Sequence, residues 1–259
     1  MSVRVMSVAG TFYPNSCSEI ERYISKFNSI KIDTPKPKFE PKAIISPHAG
    51  YIYSGFTANQ VYKIATKKKF KRVVVIGPSH HFYLKGASVA LYNKYTTPCG
   101  DLTIDLEYSK KIIEEYKQLL VHIDNMHHEH STETQMPFIK HYMPNIKVVE
   151  IVYGDIDYKE LVPIIQKILN EPSTPLVIST DLSHFHNLKE ANYIDNICLQ
   201  GIAKLDISLL NKGCEACGLI GIKALVSVAK ESQIIDYRTS YDASGDSQRV
   251  VGYLSAVLR

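Results

Sequence analysis

An α/β fold with a largely parallel central sheet flanked by helices is the prediction, and three observations carry it. Apolar, β-branched runs of strand length alternate with amphipathic stretches of helical spacing, the pattern of βαβ units. Four such runs end in turns that carry histidine or acid. Residues 42–46 lead into Pro47-His48-Ala49-Gly50-Tyr51, 72–76 into Gly77-Pro78-Ser79-His80-His81, 148–153 into Gly154-Asp155, and 176–180 into Asp181-Leu182-Ser183-His184. The tail then alternates at 234–239 and 250–258 around Ser244-Gly245-Asp246, as two antiparallel strands closing a sheet edge would.

Each element follows from local pattern. Residues 18–27 form an amphipathic helix with Ile20, Tyr23, Ile24 and Phe27 on one face. Thr34-Pro35-Lys36-Pro37-Lys38 is a connector before the strand at 42–46. A helix is expected at 57–66, with Val61, Ile64 and Ala65 inward, and a strand buried on both faces at 72–76. A helix at 107–120, a polar loop at 124–133 and a helix at 136–141 follow. Then come a strand at 147–153, a helix at 157–169, a strand at 175–180, a long helical region at 191–210 and a helix at 219–230. No Pro/Gly/Ser-rich linker interrupts the middle, so 1–259 reads as one domain without internal repeats.

The chain is 45% hydrophobic, enough for a full core, and its formal charge is only +4. The densest basic run, Lys67-Lys68-Lys69-Phe70-Lys71-Arg72, reads as a solvated helix end, so no nucleic-acid partner is expected. No apolar window approaches the roughly 18 residues of a membrane span, and the first residues lack the apolar stretch of a signal peptide. A cytoplasmic protein without membrane contact is the expectation. Five cysteines, an odd number in a long chain, argue for reduced thiols and against a disulfide scaffold.

His48 and His80 each follow a strand by a few residues, after a proline that stiffens the turn. Two imidazoles so placed can share a metal; each can equally brace its own turn. A third donor has several sources. Asp181 and His184 follow the strand at 175–180. Cys214 and Cys217 form a single Cys-x-x-Cys, too little for a zinc ribbon. Cys217 opens a helix, where the amide dipoles favour thiolate; a small buried cysteine is the plain alternative. The run 126–133 is rich in donors, yet lacks the His-Glu-x-x-His spacing of zinc proteases and reads as a surface loop lining a site.

Six ordered motifs then resemble one family over essentially the whole chain. They are Ala9-Gly10-Thr11-Phe12-Tyr13-Pro14, Pro47-His48-Ala49-Gly50-Tyr51-Ile52-Tyr53-Ser54-Gly55, Gly77-Pro78-Ser79-His80, Glu129-His130-Ser131-Thr132-Glu133, Ser179-Thr180-Asp181-Leu182-Ser183-His184 and Ala216-Cys217-Gly218. The chain resembles the Memo family, also called AmmeMemoRadiSam system protein B. The resemblance implies the fold of class III extradiol ring-cleaving dioxygenases (LigB-like), which hold ferrous iron with two histidines and a carboxylate. It implies His48 and His80 as metal ligands, with Cys217 where those enzymes keep the carboxylate. It implies His184 as the acid–base group, with Asp181 beside it.

A thiolate ligand shifts preference toward copper(I) or zinc and is itself oxidisable, so catechol cleavage does not transfer with the fold. Three readings follow. The first is an iron- or copper-dependent oxidoreductase acting on an unknown small molecule. The second is a non-catalytic scaffold that binds a peptide or protein in the same pocket, lined by Tyr51, Tyr53, His81, Glu129 and His130. The third is a zinc-dependent hydrolase. The family's company implies an Ammecr-type protein and a radical SAM protein as partners.

Overall fold

The computed structural model describes residues 2–31, 36–65 and 70–259. The expectations for Thr34, Pro35, Thr66 and Lys67 to Lys69 lie outside the described residues. The first half of the chain forms β1 (Val3–Arg4), α1 (Cys17–Ser29), β2 (Ala43–Ser46), α2 (Tyr51–Ala65), β3 (Arg72–Pro78), β4 (Ala87–Val89), β5 (Lys94–Tyr95), β6 (Leu102–Ile104), α3 (Leu106–Glu115) and β7 (Leu120–Val121). After a 3-10 turn at Asp124–His127 come α4 (His130–Glu133), α5 (Met136–Tyr142), β8 (Lys147–Tyr153), α6 (Tyr158–Asn170) and β9 (Leu176–Ser179). The remainder is β10 (His184–His186), α7 (Leu188–Ala203), α8 (Ile207–Leu210), α9 (Leu219–Val226), β11 (Ser232–Thr239), α10 (Tyr241–Ser244) and β12 (Val250–Leu258).

Local chemistry sets many of these boundaries. The Ser16 side chain caps α1 by accepting from the Glu19 N–H, and Asp157 with Glu160 forms a capping box on α6. The long helix expected at 191–210 starts earlier, where Asn187 caps α7. It breaks at Leu205, whose φ is 54°, and Asp206 caps the short α8. The polar stretch at 124–133 is helical in two short pieces instead of a loop.

The sheet order is β1-β5-β6-β8-β3-β9-β2-β12-β10, with β11 on β12 and β4 on β8. The four long predicted strands, β8, β3, β9 and β2, are adjacent and mutually parallel. β12 runs antiparallel to β2 and carries β11, as the alternating tail implied. Successive residues of the central strands feed opposite faces. Ile45, Val74, Ile76, Val149, Ile151 and Ile178 join one core with α6, α7 and α9. Ile44, Val73, Val75, Val148 and Val177 join the other with α1, α2 and α5. The sheet is therefore covered on both faces, which explains its near-continuous apolar strands. No helix among the described residues is long and apolar enough to cross a membrane.

The cysteines correct one expectation. Cys17 is bonded to Cys99 and Cys198 to Cys214, leaving Cys217 as the free thiol. An odd count leaves one cysteine over; it does not forbid pairing, and folding brings partners 82 and 16 residues apart to Cα separations of 4.6 and 4.8 Å.

A buried ion pair fixes the N-terminal segment at the sheet edge. Arg4 Nη2 lies 2.7 Å from Glu133 Oε2, and both side chains are almost wholly buried. The same carboxylate accepts from the Ser7 and Val8 N–H groups and from the Tyr13 hydroxyl. Removing one partner of such a pair strands the other charge. Glu133→Ala is expected to destabilise the protein by about 3–5 kcal/mol. Chemical denaturation checks this; a loss below about 1 kcal/mol would show that the pair is dispensable.

Candidate metal centre

The site assembles because β2, β9 and β3 are neighbours whose C-terminal ends share one edge. Ser46 is in register with Ser179, and Ile76 with Ile178. The turns after these strands deliver His48, Asp181 and His80. Two glycines let further segments close over them. A Cβ on Gly77 would stand 2.6 Å from Ser131 Oγ, so only glycine lets α4 pack on β3. A Cβ on Gly218 would stand 2.7 Å from the Ser179 carbonyl oxygen, so only glycine lets the Cys217 turn reach the end of β9.

The protons around His48 are fixed by elimination. Its Nδ1 lies 2.9 Å from Ser179 Oγ. That hydroxyl donates its only proton to the Ser131 carbonyl. Gln135 Nε2 also points at Ser179 Oγ, at 3.0 Å, and at the Pro47 carbonyl, at 2.9 Å, which can only accept. Ser179 Oγ is therefore an acceptor toward His48, Nδ1 carries the hydrogen, and Nε2 keeps its lone pair. His80 reaches the same state by another route. Its backbone N–H and its Nδ1 contact the two oxygens of Glu129, at 2.6 and 3.0 Å. An ionised carboxylate only accepts, so His80 Nε2 is also left as a donor to a metal.

Glu129 is 1% exposed and also accepts from the Ser131 N–H. Burial alone would raise its pKa, but hydrogen bonding and the neighbouring imidazoles hold it well below the usual carboxylate range. His130 completes the cluster. Donor atoms of His48, His80 and His130 all lie within 4.8 Å of one another. His130 Nδ1 sits 3.0 Å from Glu129 but out of hydrogen-bonding alignment. The His130 ring rests on Phe12, with centroids 4.7 Å apart.

Cys217 Sγ lies 3.3 Å from His48 Nε2 and accepts from the Asp181 N–H at 3.2 Å. Because Nε2 is unprotonated, the thiol hydrogen points to it. Burial and the nearby Asp181 carboxylate push the Cys217 thiol up to about 12, against the thiolate expected from the helix start. Asp181, itself raised by burial, accepts from the His48 N–H at 2.8 Å. Its carboxylate thus holds the His48 turn. His184 lies half-buried on β10, paired with Val251 of β12. The next residue, Phe185, is exposed with φ 65°, a left-handed backbone that a bulky residue rarely adopts.

Of the expected pocket residues, His81 stands exposed beside His130, with ring centroids 5.6 Å apart. Tyr53 is exposed. Tyr51 turns into the core, stacked on Phe138 and bonded to the Thr134 carbonyl. Sequence reasoning missed Gln135 and the part played by Ser179. Ser179 lay within a recognised motif, but nothing local marks either residue as a proton keeper.

The Memo-like protein family model matches residues 4–257. The chain belongs to the Memo-like family. It is 35% identical to a MEMO1 family protein of Aquifex aeolicus, over 99% of each chain. It is 31% identical to one of Methanosarcina acetivorans over the full length of both, and 32% identical to one of Desulfurococcus amylolyticus over 98% of each. Among solved structures it resembles an uncharacterized protein of Escherichia coli K12, with TM-score 0.55 and 14% identity, covering 83% of this chain and 98% of that one. That likeness concerns the fold, an α/β architecture with a largely parallel sheet, consistent with the extradiol-dioxygenase-like class.

The site's titrating groups set an acid limit on stability. Burial, then the charges of His80 and His130, lowers His48 well below its ordinary value. The unfolded chain therefore binds more protons, and the His48 contribution is whole above about pH 6.5 and falls as pH drops through it. Glu129 is lowered too, so its contribution is whole above about pH 4.3 and is lost below. Thermal unfolding of metal-free protein is expected to weaken in these two steps, the second smaller in Glu129→Gln, with the remainder due to Glu150, whose carboxyl is also lowered. A midpoint indifferent to pH between about 7 and 5 would contradict a neutral, buried His48.

Proposed function

We propose that this Memo-like chain is a mononuclear metal-dependent oxidoreductase, with iron or copper held by His48, His80 and Cys217, acting on a small molecule. The observation that carries this reading is the pair of imidazoles whose Nδ1 hydrogens are committed to Ser179 and Glu129, with Cys217 Sγ 3.3 Å from His48 Nε2. Two nitrogen lone pairs and one sulfur form a set that suits a borderline or soft metal. A bound iron or copper would supply redox chemistry and an open position for substrate.

The chain's own groups have separate tasks. Asp181 holds the His48 turn by its carboxylate, and its N–H steadies the sulfur once Cys217 loses its proton. His184, half-buried at the edge, exchanges protons between substrate and solvent. A cytoplasmic location and company with Ammecr-type and radical SAM proteins belong to this reading. Peptide binding in the same pocket is the second reading. It is favoured by Tyr53, Phe82 and Phe185, each exposed close in sequence to a site histidine.

Because the thiol is pushed up to about 12, metal uptake at neutral pH must displace about one proton. Calorimetric titration in buffers of different ionisation enthalpy is expected to show that proton for the wild type and none for Cys217→Ser. Equal proton release in both would remove Cys217 from the ligand set.

His48→Ala and His80→Ala should each drop metal content from about one per chain to near none. His184→Ala should keep the metal and lose oxygen-dependent turnover. Metal retained by both His48→Ala and His80→Ala would remove the two histidines from the ligand set and end this reading of the centre.

A further inference from the structure

The two disulfides sit in different surroundings. Cys198 and Cys214 belong to an apolar core cluster. Cys17 and Cys99 are only half-buried, where the first turn of α1 meets the turn between β5 and β6. Glu21 follows Cys17 by four residues and so shares its helix face. A Glu21 carboxylate oxygen and both sulfurs lie within 4.8 Å of one another. From α5, His141 Nδ1 holds that carboxylate at 2.8 Å. The neighbouring Lys140 donates to the Asp101 carbonyl at 2.9 Å, placing an ammonium next to the Cys99 turn. Three segments distant in sequence thus bring two sulfurs, a carboxylate and its imidazole support together. A mere cross-link has no use for the last two.

We infer that opening the Cys17–Cys99 bond creates a second metal site. Cys17, Cys99 and Glu21 would hold a zinc-class divalent cation, His141 would orient Glu21, and one coordination position would face solvent. A dithiol reductant delivers two electrons and two protons to the sulfur–sulfur bond, giving two thiols and the reductant's own disulfide. The cation then displaces both thiol protons as two metal–sulfur bonds form. Lys140 offsets part of the negative charge so gathered. A small-molecule disulfide reverses both steps: it takes the two electrons, with two protons from solvent, to become two thiols, while the Cys17–Cys99 bond re-forms and the cation leaves, so the site is gated by redox state. It is independent of the centre at His48 and His80.

Cobalt(II) is a suitable probe, because thiolate coordination gives it a charge-transfer absorption that oxygen and nitrogen ligands do not. The full chain is titrated anaerobically, first as the disulfide form and then after phosphine reduction. Reduction is expected to add about one cobalt per chain with the sulfur band, and Cys17→Ser with Cys99→Ser is expected to abolish the increment. In case that double variant folds poorly, the surface variants Glu21→Gln and His141→Ala serve as well. Each should weaken the increment about 10- to 100-fold at an unchanged unfolding temperature. Taken as a difference, the result is readable whether or not the central site binds. No increment on reduction overturns the inference, as does an increment that survives in the double variant. Five free thiols in the unreduced protein overturn the gating.

Discussion

The Ser179 hydroxyl has one proton to give, and the candidate centre depends on where it goes. Directed to the Ser131 carbonyl, it leaves Ser179 Oγ able only to accept, and His48 must then present a bare Nε2 to Cys217. If the hydroxyl turned toward Nδ1 instead, the imidazole would present N–H to the centre and repel a cation. The arrangement needs β9 between β2 and β3, because only that strand order sets Ser179 beside the His48 turn and beneath α4. Gln135 supports it from the start of α5, with its own orientation fixed by the Pro47 carbonyl.

Buried acids organise the rest. Glu129 fixes His80 and begins α4. Four residues on, Glu133 ties down the N-terminal segment that carries Phe12 to the face of His130. Glu150, in the middle of β8, holds His127 and Thr132. Each carboxylate meets several donors, as a buried charge must if its desolvation is to be offset. The site histidines therefore rest on a rigid polar frame, and their positions are set before any ligand arrives.

The sequence shows the four parallel strands plainly, because β-branched runs of strand length end in proline- and glycine-bearing turns. It also brings His48, His80 and Asp181 to one sheet edge, since strand topology alone gathers them there; Cys217 follows no strand, and only the family resemblance puts it at the metal. The two- and three-residue strands at Val3–Arg4, Lys94–Tyr95 and Leu102–Ile104 leave no readable period; distant partners create them. The polar run at 124–133 reads as a loop because His127, Glu129 and Glu133 are buried only through partners elsewhere in the chain. For the same reason His130 looked peripheral, although folding sets it among the other two histidines. Disulfide pairing was illegible in principle, since cysteine count carries no distance.

His130 and Cys217 are rivals for the third ligand position, and X-ray absorption at the metal edge separates them most directly. The protein would be purified anaerobically without chelator and measured as isolated. The expected result is a mixed shell of imidazole nitrogen and one sulfur at about 2.3 Å, with the sulfur lost in Cys217→Ser. A shell of light atoms alone, unchanged by that substitution and altered by His130→Ala, would contradict it and make the centre a three-histidine site.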